Sequence, residues 1–167
     1  MRRLLLMTLL VSLAAPAAAL AMRAAVGDGT LAVRDAAGTV RLDIEGAVVG
    51  RLESGQLELI APSIDDCREL GVWGADDRRR TRTKAGATSC LFTELVEGGS
   101  LQPIRFRLAL ASNATLIIRS TDGLSLSAVG QGRGTIKGSA GTYSKNGQKF
   151  LGLPADELSF RLGANLG

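Results

Sequence analysis

The chain has 167 residues, with 20 Lys or Arg against 16 Asp or Glu, and no histidine. Without imidazole, histidine-based acid/base catalysis and most metal sites drop out. Two cysteines, Cys67 and Cys90, are too few ligands for a metal site on their own, so neither a metal nor another cofactor is expected.

Arg2 and Arg3 form a positive start, Leu4 to Leu13 a mostly apolar stretch, and Pro16 leads into an Ala-rich tail ending Ala19-Leu20-Ala21. That order is the pattern of a secretory signal peptide spanning residues 1–21, with cleavage after Ala21. A transmembrane anchor fits less well, because Thr8, Ser12 and Pro16 interrupt the run and no stop-transfer flank follows. Met22 stands where a lipoprotein would carry its lipid-modified cysteine. A soluble product in the periplasm or medium is therefore expected, with no membrane span after signal removal. Losing Arg2 and Arg3 would leave 18 basic against 16 acidic groups, a balance that predicts no nucleic-acid partner. Residues 22–167 are long enough to bury a core of their own, so they are expected to form one domain.

The 21 glycines all lie beyond the expected signal and punctuate short alternating runs. Leu31 and Val33 are followed by Val40, Leu42 and Ile44 alternating with Arg41, Asp43 and Glu45, which places an apolar face against a charged one. Ala47 to Leu52 and the Leu57/Leu59 pair continue the pattern. Gly29, Gly38, Gly46 and Gly55 recur every eight or nine residues, and they read as turns between successive strands. From Ser63 to Gly99 the composition changes to an irregular insertion rich in charge, holding both cysteines and Trp73. Alternation resumes at Ile104, Phe106, Leu108 and Leu110 against Arg105 and Arg107, then at Leu116/Ile118, Leu124/Leu126, Thr135 to Lys137, and Leu158 to Leu162. Asn113-Ala114-Thr115 reads as a turn into a strand.

The fold class is all-β. Two short strands per coil would make an irregular β-solenoid of roughly 18 residues per turn, the arrangement these weak, glycine-rich strands favour, while an antiparallel β-sandwich is the alternative. An outer-membrane barrel would need strands of about 9–11 residues and two aromatic girdles. Residues 22–167 hold only Trp73, Tyr143 and four phenylalanines. Thr39-Val40-Arg41-Leu42 is echoed by Thr115-Leu116-Ile117-Ile118, an offset any two glycine-spaced β segments could share.

Cys67 and Cys90 are expected to form a disulfide closing a 67–90 loop, which an exported location permits. Within that loop Trp73 and the Arg78, Arg79, Arg80 cluster form the candidate binding site, because arginine forks match carboxylate and phosphate groups and a tryptophan beside glycines can serve recognition. A solvated loop of mutually neutralising charges and a Trp73 buried beside the disulfide are the competing readings. Gly130-Gln131-Gly132-Arg133-Gly134 lacks the Lys-Ser/Thr pair and following helix of a phosphate loop and reads as turn punctuation. The pairs Asp65-Asp66, Asp76-Asp77 and Asp156-Glu157 place neighbouring carboxylates on opposite strand faces, which suits no glycosidase. No Gly-x-Ser-x-Gly elbow is present.

Three segments, Asp28 to Leu52, Ile104 to Leu108 and Leu126 to Gly147 with its Gly141-Thr-Tyr-Ser-Lys-Asn-Gly147 run, resemble short exported bacterial β-proteins that have no assigned activity. The resemblance implies an all-β fold and brings no catalytic residue. The expected function is a non-enzymatic exported β-protein acting by surface contact, in envelope structure, adhesion or binding of an envelope or extracellular partner. The alternative is a hydrolase or protease inhibitor using the 67–90 loop, which convergent carboxylates in a deep pocket would favour.

Overall fold

The computed structural model describes residues 28–62, 64, 67–82 and 86–163, the side chains of 77–82 excepted. The expected signal segment, residues 1–21, lies outside the described residues, as do Asp65, Asp66 and Lys84. The elements are β1 (Gly29–Ala61), a 3-10 turn (Cys67–Glu69), β2 (Val72–Trp73), β3 (Ala75–Arg82), β4 (Thr88–Glu97), β5 (Ser100–Gln102), β6 (Ile104–Leu110), β7 (Thr115–Lys145), β8 (Leu151–Gly152) and β9 (Leu158–Leu162). No α-helix occurs among them, as the all-β reading requires.

Two strands, β1 of 33 residues and β7 of 31, dominate. At about 3.3 Å per residue either would exceed 100 Å if straight, far beyond the width of a domain this size. They coil instead. Val40 pairs with Ile118 on one edge and with Ile136 on the other, and Ile118 in turn pairs with Val40 and with Leu57. The antiparallel β1–β7 ribbon therefore wraps onto itself every 17 or 18 residues and builds a nearly closed antiparallel sheet around one core. A single-chain solenoid would stack parallel coils; the ladders here are antiparallel. The expected repeat length is present as the pitch of a two-stranded ribbon. The two echoed segments, 39–42 and 115–118, lie beside each other within it, with Leu42 opposite Leu116.

The glycines expected to be turns are mostly inside strands. Gly38, Gly46 and Gly55 lie within β1, and the Gly130–Gly134 run lies within β7. They permit close approach. Gly46 and Gly130 are direct partners, and a Cβ on Gly46 would collide with the Val129 carbonyl oxygen and sit 2.7 Å from the Gly130 Cα. Backbone cannot yield as a side-chain tip can, so Gly46→Ala is expected to lower unfolding stability by about 1–3 kcal/mol. Equilibrium urea unfolding measures this; a change below about 0.5 kcal/mol would contradict the close packing of the ribbon.

Period-two alternation fills the interior. Val40, Leu42, Ile44, Val48, Leu52 and Leu57 of β1 meet Ile104 and Phe106 of β6 and Leu116, Ile118, Leu124 and Ile136 of β7, all buried. Outward positions carry Arg41, Glu45, Arg51, Arg105 and Arg107, all exposed. An apolar interior under a charged exterior is the reverse of a transmembrane barrel, whose apolar band faces out. No helix among the described residues is long and apolar enough to cross a membrane.

The region read as an irregular insertion is partly sheet. β2 pairs with β6, and β3 runs antiparallel to β4, which pairs with residues 56–61 of β1. Cys67, on the 3-10 turn, is bonded to Cys90 of β4 with a Cα–Cα distance of 5.7 Å. Both cysteines are buried.

Candidate binding surface

β2 is two residues long, yet it determines where Trp73 points. Val72 is opposite Phe106 and packs against the core, so the next residue, Trp73, emerges on the outer face opposite Arg105. Trp73 is 57% exposed, which excludes burial beside the disulfide. Arg105 is directly opposite Arg51 on its other side, and Arg51 is opposite Ser125 of β7. The row ends at Asp35, which adopts a positive φ of 48° and accepts its local bend through a backbone N–H donated to the Ser125 hydroxyl at 3.2 Å. The three ladder steps from Trp73 to Ser125, of about 4.8 Å each, make this part of the row about 14 Å long. Arg107, two residues along β6, extends it sideways.

The charge along this row is uneven. Arg51 is held by Glu53, with Nε 2.6 Å from the carboxylate, whereas Arg105 and Arg107 make no salt bridge among the described residues. Opposed like charges such as Arg51 and Arg105 weaken a ladder. Next to the row, a shallow depression of about 520 Å³ is lined by Arg34, Asp35, Val49, Arg51, Ser125 and Ser127. Arg34 itself lies over the Phe150 ring, 4.1 Å from its centre.

Arg78, Arg79 and Arg80 belong to β3 and not to a loop. Arg79 and Arg80 pair with Leu91 and Cys90, and the ladder shifts register between Asp77 and Arg79. Trp73 and the arginine cluster are thus close along the chain but sit on different neighbours, β6 and β4. Of the described carboxylates singled out by sequence, Asp76 of β3 is opposite Thr93 of β4, while Glu157 precedes β9 and accepts a hydrogen bond from Thr135 at 3.3 Å. The residues that sequence reasoning did not join are Trp73 and Arg105, since a two-residue strand leaves no periodicity to read.

Elsewhere on the exterior, Arg41 donates to Asp43 from Nε at 2.9 Å and from Nη2 at 3.1 Å, and the Thr115 hydroxyl donates to the same carboxylate. Partial burial pushes the Asp43 carboxyl up, but these hydrogen bonds and the charges of Arg41 and Arg133 outweigh it and hold the group below its usual range. The Asp43 hydrogen bond raises Arg41 in return. Compared with known protein families, characterised proteins and solved structures, the chain gives no match.

Proposed function

We propose that the protein is an exported, non-enzymatic β-protein of the periplasm or extracellular space that acts by surface contact, and that its contact surface is the Trp73–Arg105–Arg51 row with Arg107. The observation that carries the reading is a tryptophan left 57% exposed directly opposite an arginine that makes no salt bridge among the described residues. Tryptophan and arginine dominate the energetics of interfaces. An acidic, extended envelope partner fits a row of this length and charge.

Capture of partners from envelope extract tests this. Trp73→Ala and the Arg105→Gln/Arg107→Gln pair should each weaken capture by more than about 2 kcal/mol, roughly thirtyfold, with unfolding midpoints close to that of the unmodified protein, because all three side chains are exposed. An Arg78/Arg79/Arg80 triple-glutamine variant asks whether β3 extends the surface. Full capture by both the Trp73 and the Arg105/Arg107 variants would refute the assignment.

A further inference from the structure

A separate cationic cluster lies where β7 meets β9, and it shares no residue with the Trp73 row. Arg133 and Arg161 are direct partners in the antiparallel β7–β9 ladder. Both are exposed, while their neighbours Gly134, Phe160 and Leu162 are buried, so the two guanidinium groups stand on the same outer face. Directly opposed Cβ atoms in such a ladder are about 4.5–5.5 Å apart, and like charges there repel. Neither arginine makes a salt bridge among the described residues. On its other edge Arg133 is opposite Asp43, but that carboxylate is already engaged by Arg41 and by the Thr115 hydroxyl.

The pair opens onto a cleft of about 610 Å³ lined by Asp43, Arg133, Thr135, Lys145, Ser159 and Arg161. Its lining carries Arg133, Lys145 and Arg161 against Asp43, an excess of two positive charges. A single carboxylate would leave half of that excess; a dianion would cancel it.

We propose that this cleft binds a dianionic oxyanion group, a phosphate monoester on a small molecule or saccharide, clasped by Arg133 and Arg161 with Lys145 supplying a third cation. Guanidinium forks match the paired oxygens of such groups in geometry and charge. The Ser159 hydroxyl adds a neutral donor on the same side.

Titration of the folded chain with inorganic sulfate and inorganic phosphate at constant ionic strength, followed through backbone amide shifts by NMR, tests the site. Saturable shifts are expected at residues 133–135 and 159–161. The Arg133→Gln/Arg161→Gln variant should bind at least tenfold more weakly, and Arg161→Lys, which keeps the charge and removes the fork, should fall between. Arg51→Gln/Arg105→Gln should bind as the unmodified protein does, so a failure here is separable from a failure of the Trp73 surface. Acetate, a monoanion, should bind at least tenfold more weakly than sulfate. Glucose 6-phosphate should tighten between pH 5.5 and 7.5 as its ester passes its second ionisation at about 6, and sulfate should not; with no histidine in the chain, no side chain has its ordinary pKa in that window. Glucose 6-phosphate should bind at least tenfold more tightly than glucose 6-sulfate, whose ester is a monoanion, and equal binding by the two would overturn the charge match. Unsaturable shifts, an equal response in the double glutamine variant, or acetate matching sulfate would overturn the site. The double variant should unfold no earlier than the unmodified protein, since it relieves a repulsion; a large loss of stability would show that the arginines are structural and would also count against it.

Discussion

Leu116→Ala is expected to lower the free energy of unfolding by about 4 kcal/mol, within the range of about 2–5 kcal/mol for buried leucines. Leu116 is fully buried and lies between Leu42 on one edge and Leu59 on the other, residues that belong to successive turns of the ribbon. Removing its side chain takes packing from both turns at once, and main-chain ladders on either side hold the backbone apart, so the cavity cannot collapse. Urea unfolding followed by circular dichroism gives the value. Leu158, on the edge strand β9 and 39% exposed, is the control, and its alanine variant should lose no more than about 1 kcal/mol. Equal effects at the two positions would mean that the coiled ribbon does not enclose the core described above.

Replacing both Cys67 and Cys90 with alanine should cost about 3.5 kcal/mol by the chain-entropy argument for their sequence separation of 23. For a domain of this size that corresponds to a fall of about 10–15 °C in the unfolding midpoint. The bond joins the 3-10 turn to β4, whose Cys90 stands between Leu59 of β1 and Arg80 of β3 in the ladders. The segment carrying β2 is held to β6 by two ladder pairs, Val72 with Phe106 and Trp73 with Arg105, and by the Arg107 N–H donated to the Gly71 carbonyl at 2.7 Å. Calorimetry of the double-alanine variant measures the loss, and non-reducing peptide mapping of the unmodified protein should recover the 67–90 link. A midpoint shift under about 3 °C would show that the bond does not constrain the unfolded chain as argued.

The core was legible because its signal is local. Val40, Leu42 and Ile44, or Ile104, Phe106, Leu108 and Leu110, announce a one-sided strand through alternation alone, and each proves to be buried. The same reasoning misread strand length. A glycine every eight or nine residues in β1 is as compatible with a turn as with a bend inside a continuing strand, and only the partner across the sheet distinguishes them: Gly46 needs no side chain because Gly130 is pressed against it. The candidate surface was visible in pieces. Trp73, Arg105 and Arg107 could each be picked out by type and exposure pattern, but the 31 residues between Trp73 and Arg105 hide their adjacency. Arg133 and Arg161 are likewise 28 apart, and nothing in the alternation of either strand points to the other.

Composition and period-two alternation by themselves determined that this chain is all-β, that its interior is aliphatic, and that its two cysteines have each other as the available partner. These are properties of single residues and their near neighbours, set by hydrophobicity and by the opposite faces of a strand. Pitch, ladder direction and the juxtaposition of Trp73 with Arg105 and of Arg133 with Arg161 depend on which of many similar glycine-spaced strands pair. That choice rests on packing summed over the whole coil, where Val40 must satisfy Ile118 and Ile136 together, and no short stretch of sequence contains enough of those partners to decide it.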